Sequence, residues 1–144
     1  MLLIGSKNIN TQTVATDGII DIGTVYRKYC RKTANGLPNF ATTNTGITFN
    51  GQGMYHLTAT FVGSGDAAGD ITVQMLINGS AAPGALSTQT ITTPDTEIRT
   101  LVIDYYVLVD GSCMLGTNPT TVTFENIGVD ATFTSVVVDA SKEV

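Results

Sequence analysis

One histidine, two cysteines and twelve carboxylates are the groups in this chain whose types could do chemistry. His56 is alone, so a paired-histidine metal site is excluded, and a Ser-His-Asp arrangement would have to rest on this one imidazole. The chain has no Gly-x-Ser-x-Gly turn to present a nucleophilic serine. His56 also falls among the polar positions of an alternating run, Met54–Val62, where a hydrogen-bonded surface or interface histidine is the simpler reading than a general base. With no nucleophile, base or metal set in view, the sequence reads as a non-enzyme.

Cys30 and Cys113 are too few for a four-thiolate zinc site. They read either as one disulfide, worth about 4–5 kcal/mol for a closed loop of that length, or as two reduced, buried thiols. The apolar start Met1–Gly5 lacks the basic n-region and long h-region of a secretory signal, which favours the reduced form at synthesis. The carboxylates fall in pairs, Asp66 with Asp70, Asp95 with Glu97, and Asp104 with Asp110. The run 65–70 does not match a calcium loop, so these read as solvated loop residues and no metal or other cofactor is expected. Arg27, Lys28, Arg31 and Lys32 form the one basic run, with Tyr26 and Tyr29 beside it. In a chain of net charge −5, that run is not a nucleic-acid footprint. It reads as a contact for an acidic partner, or as a strand edge guarded by charge. The five tyrosines, with no tryptophan beside them, read as core and interface packing.

The elements that carry these residues follow from composition. The 144 residues are 42% hydrophobic and only 13% charged, which suits a single well-buried domain. Thr, Val and Ile are abundant, and turn signals recur at spacings typical of short strands. Gly18–Cys30 reads as one long strand with a bulge at Gly23, and Ile47–Phe49 as a short one. Met54–Val62 alternates, with Tyr55, Leu57, Ala59 and Phe61 on one face, and Ile71–Ile77 repeats the pattern. A turn at Ala82–Ala85 precedes a weaker strand over Leu86–Thr92. Ile98–Val109 is apolar on both faces, as for a strand buried centrally or covered by a neighbouring subunit. Val122–Phe124 and Phe133–Val138 complete the set. Such a chain predicts an all-β, two-sheet antiparallel sandwich of the jelly-roll type over residues 18–144. Residues 1–17, polar after their apolar start, read as a separate arm, either loose or docking on a partner. The chain has no apolar run long enough to span a bilayer.

The order of these pieces resembles a known superfamily. Gly51-Gln52-Gly53-Met54-Tyr55-His56-Leu57, then Leu76-Ile77-Asn78-Gly79 followed by Pro83-Gly84-Ala85, and the closing Val136-Val137-Val138 are similar to compact jelly rolls of the tumour-necrosis-factor and complement-head type. The short versions in bacterial surface proteins and phage virions are the nearest in style. The resemblance implies a homotrimer with Tyr55 on a core strand and Ile98–Val109 at the subunit contact. Tyr55, Leu101, Ile103, Tyr105 and Val107 are the interface residues it suggests. It also implies a phage virion protein exposed on the particle surface: a capsid decoration, head fibre or fibre tip. Residues 1–17 would attach it to the major capsid protein or another virion protein. The alternative is an adhesion or receptor-binding module for host-surface glycans or proteins.

Overall fold

The alternation read along the chain becomes two antiparallel sheets in the computed structural model, which describes residues 2–29, 40–109, 111–112, 116–117 and 119–143. In chain order the strands are β1 (Leu3–Asn8), β2 (Gln12–Val14), β3 (Gly18–Ile19), β4 (Thr24–Tyr29), β5 (Phe40–Thr42), β6 (Gly46–Phe49) and β7 (Gly53–Gly65). They continue as β8 (Gly69–Ile77), β9 (Ser80–Ile91), β10 (Arg99–Val109), β11 (Gly111–Ser112), β12 (Gly116–Thr117), β13 (Thr120–Asn126) and β14 (Ala131–Lys142). The first sheet runs β10-β7-β14-β1-β4, with β2 also on β14. The second runs β5-β6-β13-β8-β9, with β3 on β13, and β11 pairs with β12 apart from both.

Period-2 alternation turns one side chain in two toward the space between the sheets. From the first sheet come Tyr55, Leu57, Ala59 and Phe61 of β7, Leu101, Ile103 and Val107 of β10, and Val136 and Val138 of β14. Phe40, Ile47, Phe49, Ile71, Val73, Met75, Val122 and Phe124 face them, and all are buried. Two aromatic clusters fix the spacing. Phe40, Phe49 and Tyr55 lie within 5.7 Å of one another by ring centroid. Phe61 meets Phe124 at 5.2 Å and Phe133 at 6.0 Å, both edge-on. Tyr55 is amphipathic in its use: the ring is in the core and the hydroxyl donates to the Gly51 carbonyl at 2.6 Å.

Four sequence expectations change here. Gly18–Cys30 is not one strand. Gly18–Ile19 belongs to the second sheet and Thr24–Tyr29 to the first, with Ile20 and Ile22 fully buried in the crossing. Gly23 has φ +81°, and a Cβ there would sit 2.0 Å from the Lys7 carbonyl oxygen, so this glycine makes the sheet switch rather than a bulge. The Ala82–Ala85 turn lies inside β9 as an irregularity between Gln74 and Leu76 of its partner strand. Ile98–Val109 is an edge strand, paired only with β7 among the described residues, which removes the centrally buried alternative and leaves that of a strand covered by a neighbouring subunit. Residues 1–17 are not a separate arm. β1 inserts between β14 and β4, and Ile4 is buried in the core. The apolar start is a strand of the sandwich.

Candidate functional site

The outward face of the first sheet is the part of the surface that breaks the usual pattern. Register sets its side chains in rows across five strands. One row reads Tyr106, His56, Ser141, Leu3, Tyr29. The next reads Asp104, Thr58, Asp139, Gly5, Arg27, and a third Val102, Thr60, Val137, Lys7, Thr24. Apolar side chains concentrate at the β10 end, where Val102, Tyr106 and Leu108 are 49%, 56% and 68% exposed. The outward face of the second sheet differs. It is threonine-rich, with hydroxyl pairs Thr48–Thr121 at 2.9 Å and Thr72–Thr88 at 3.0 Å.

Polar contacts knit the first face together. The Tyr106 ring stacks on His56, 4.7 Å between centroids and 18° from parallel. His56 Nε2 bonds Asp104 Oδ1, and its Nδ1 lies 4.0 Å from Glu143 Oε1, which accepts from the Ser141 hydroxyl. On the far side, Tyr26 donates to Asp139 Oδ1 at 2.7 Å, and an Arg27 nitrogen lies 3.4 Å from the same oxygen. Lys7 and Arg27 both stand over the Tyr26 ring, at 5.2 and 5.4 Å. The hydrogen bond to Asp139 and partial burial hold the Tyr26 phenol above its ordinary pKa.

Tyr26 reaches this position because the pairing of β1 with β4 shifts between Gly5 and Ser6. A Cβ at Gly5 would meet Asp139 Oδ1 at 2.4 Å and the Tyr26 ring at 2.7 Å, so glycine is what lets the ring lie over β1. Between His56 on one side and Arg27 on the other, a hollow of about 140 Å³ opens over Leu3, Thr58, Asp139 and Ser141.

The residues singled out in the sequence separate accordingly. Tyr55, Leu101, Ile103 and Val107, read as a subunit contact, are buried inside the chain itself and present no surface to a neighbour. Tyr105 is half-buried and donates to the Pro83 carbonyl at 3.2 Å. The exposed apolar residues of β10 are the alternate set, Val102, Tyr106 and Leu108. Apolarity on both faces was visible in the sequence, but which face pointed inward depends on register. Arg27 and Lys28 are on β4 and exposed, Arg27 engaged with Asp139. Arg31, Lys32, Cys30 and Cys113 lie outside the described residues. Gly5 and Asp139 carried no sequence signal, because only the pairing of the first and last strands brings them together.

No protein-family model matches the sequence, and no curated protein matches it. Solved structures do match in shape. The globular domain of zebrafish complement 1qA aligns over 100% of this chain and 98% of that one, with TM-score 0.64 and 8% identity. Murine APRIL aligns over 97% and 98%, with TM-score 0.67 and 7% identity. The PRD1 vertex protein P5 aligns over 99% and 97%, with TM-score 0.60 and 13% identity. Identities this low speak to architecture: the chain has the jelly-roll fold of tumour-necrosis-factor and C1q domains.

Proposed function

We propose that this chain is a non-enzymatic structural protein that works as a homotrimer, joined through the outward face of the first sheet. The observation that carries the reading is the apolar stripe of Val102, Tyr106 and Leu108 on an edge strand. Large apolar side chains grouped this way on an open face mark a contact surface, whereas single ones need no explanation. Shape likeness to tumour-necrosis-factor and C1q domains supports self-association.

Likeness to a phage vertex protein supports a place in a virion, as a decoration, head fibre or fibre tip on the particle surface. Attachment to the capsid then falls to surface other than residues 3–8, which the sandwich itself uses. A second reading, recognition of a host-surface glycan or protein, is favoured by the exposed Pro83-Gly84 knuckle. Gln74 and Tyr105 brace that knuckle, giving a recognition loop a fixed shape.

Two experiments test these statements. Substituting glutamate at Tyr106 and Leu108 is expected to convert trimers to folded monomers, read by light scattering; an unchanged mass refutes the face. Antibody against the chain is expected to label purified particles from producing cells, and particles without the chain refute the virion role.

A further inference from the structure

His56 stands on the first-sheet face with a carboxylate at each ring nitrogen. Nε2 bonds Asp104 Oδ1, and Nδ1 lies 4.0 Å from Glu143 Oε1. An ionised carboxylate only accepts hydrogen bonds, so Nε2 carries the proton when the ring is neutral. The Nδ1 lone pair then faces the Glu143 carboxylate. Only the protonated ring presents a donor to both sides. The Tyr106 ring stacked on the imidazole limits how far it can turn away.

The other groups around His56 do not balance these charges. From β14, Ser141 lies opposite, and Asp139 is engaged by Tyr26 and Arg27. β1 brings Leu3, with Tyr29 of β4 beyond it in the same row. Arg27 and Lys7 stand over Tyr26, on the far side of the hollow. Lys142 pairs with Tyr55 and so falls on the other side of the sheet. β7 itself adds Met54 and Thr58, both uncharged. Asp104 and Glu143 thus stand unbalanced while the ring is neutral, and protonation balances one of them.

In the single chain His56, Asp104 and Glu143 all reach solvent, which screens the mismatch. A neighbouring copy that covers Val102, Tyr106 and Leu108 takes water from the same patch. Asp104 lies between Val102 and Tyr106 on the outward side of β10, and Tyr106 lies against His56. Loss of water raises the cost of unbalanced charge. Covering the face therefore selects the protonated imidazole.

Resting on the self-association reading above, we propose that His56 is a proton-operated switch on assembly: each contact takes up a proton at the imidazole, so the assembly tightens as the solution is made mildly acidic. His56 is the chain's one histidine. Aspartate and glutamate side chains at their ordinary values keep their charge between about pH 6 and 8, where imidazole gains and loses its own.

Sedimentation of the full chain over a wide range of concentration, at constant ionic strength, tests this. The concentration for half-assembly is expected to fall about tenfold from about pH 8 to about pH 6. His56→Gln keeps a neutral, hydrogen-bonding side chain and is expected to assemble equally across that window. Thiols and a terminal amine titrate near it as well, and His56→Gln leaves them unchanged. A pH dependence that survives in His56→Gln therefore overturns the proposal. Glu143→Gln removes the charge facing Nδ1 and is expected to cut the effect to about threefold or less. The full effect in Glu143→Gln overturns the stated cause. A wild-type assembly of equal strength throughout, or one that tightens as pH rises, overturns the switch and leaves self-association standing. A wild-type chain that is monomeric at every concentration and pH overturns both. Where the assembly is too tight to dilute apart, exchange between labelled and unlabelled chains gives the same comparison. That exchange is expected to be about tenfold slower near pH 6 than near pH 8 in the wild type, and equal in His56→Gln.

Discussion

The ring of Tyr106 lies almost flat on the imidazole of His56, 4.7 Å between centroids, on the outward side of a strand whose inward side is core. β10 thus offers two apolar faces with different roles. Val107→Ala and Leu101→Ala remove buried volume and are expected to cost about 2–4 kcal/mol of folding stability. Val102→Thr and Leu108→Gln change exposed positions and are expected to move monomer stability by less than about 0.5 kcal/mol while weakening association. Chemical denaturation, paired with mass measurement, separates the two. Equal stability losses on both faces would contradict the assignment.

β1 fills the first sheet between β14 and β4, so the start of the chain is expected to be indispensable to folding. Deleting residues 1–8 removes Ile4 from the core and opens the β14 backbone to solvent over Val136–Ser141. The truncated chain is expected to lose its cooperative thermal transition. A truncated chain that melts like the full one would show that the segment is dispensable.

Gln74 is buried, and its amide nitrogen lies 2.9–3.1 Å from the carbonyls of Met75, Ala82 and Ala85. It supplies the hydrogen bonds that the sheet ladder loses where β9 departs from register. Gln74→Met keeps the volume and leaves those carbonyls without the amide, for an expected loss of about 1–3 kcal/mol. Hydrogen exchange is expected to rise around residues 80–86. Unchanged protection there would contradict the bracing role.

The Tyr26 phenol is held above its ordinary pKa, first by its hydrogen bond to Asp139. A raised folded-state pKa means the contribution is complete below the unfolded value near 10 and is lost as pH rises through the folded value. Asp139→Asn removes the acceptor charge and is expected to bring Tyr26 back toward 10 in an ultraviolet phenolate titration. Tyr55, raised by burial, is expected to stay late in both proteins. An Asp139→Asn titration superimposable on wild type would contradict the coupling.

The sequence made the fold class legible because alternation over Met54–Val62 and Ile71–Ile77 is a local signal, and both segments are strands with the expected inward residues. The candidate face was harder to read. Ile98–Val109 is apolar on both sides, so periodicity identifies a strand without saying which side is inner; the β7 register decides that. The first seventeen residues misled for a related reason. Leu3-Ile4 is too short a run to announce a strand, and its β14 partners, Ser141 and Ala140, lie at the other end of the chain. Gly23 marked the correct position, since a positive φ serves a bulge and a sheet crossing alike. Gly5 and Asp139 meet only through that long-range pairing, which local patterning does not encode.

Self-association through the first sheet is the claim on which the rest depends, and light scattering coupled to size exclusion tests it most directly. The account predicts a particle of three times 15.1 kDa for the full chain, reduced to a single 15.1 kDa chain when Tyr106 and Leu108 are both replaced by glutamate. A wild-type chain that elutes as a monomer across the accessible concentration range would contradict it.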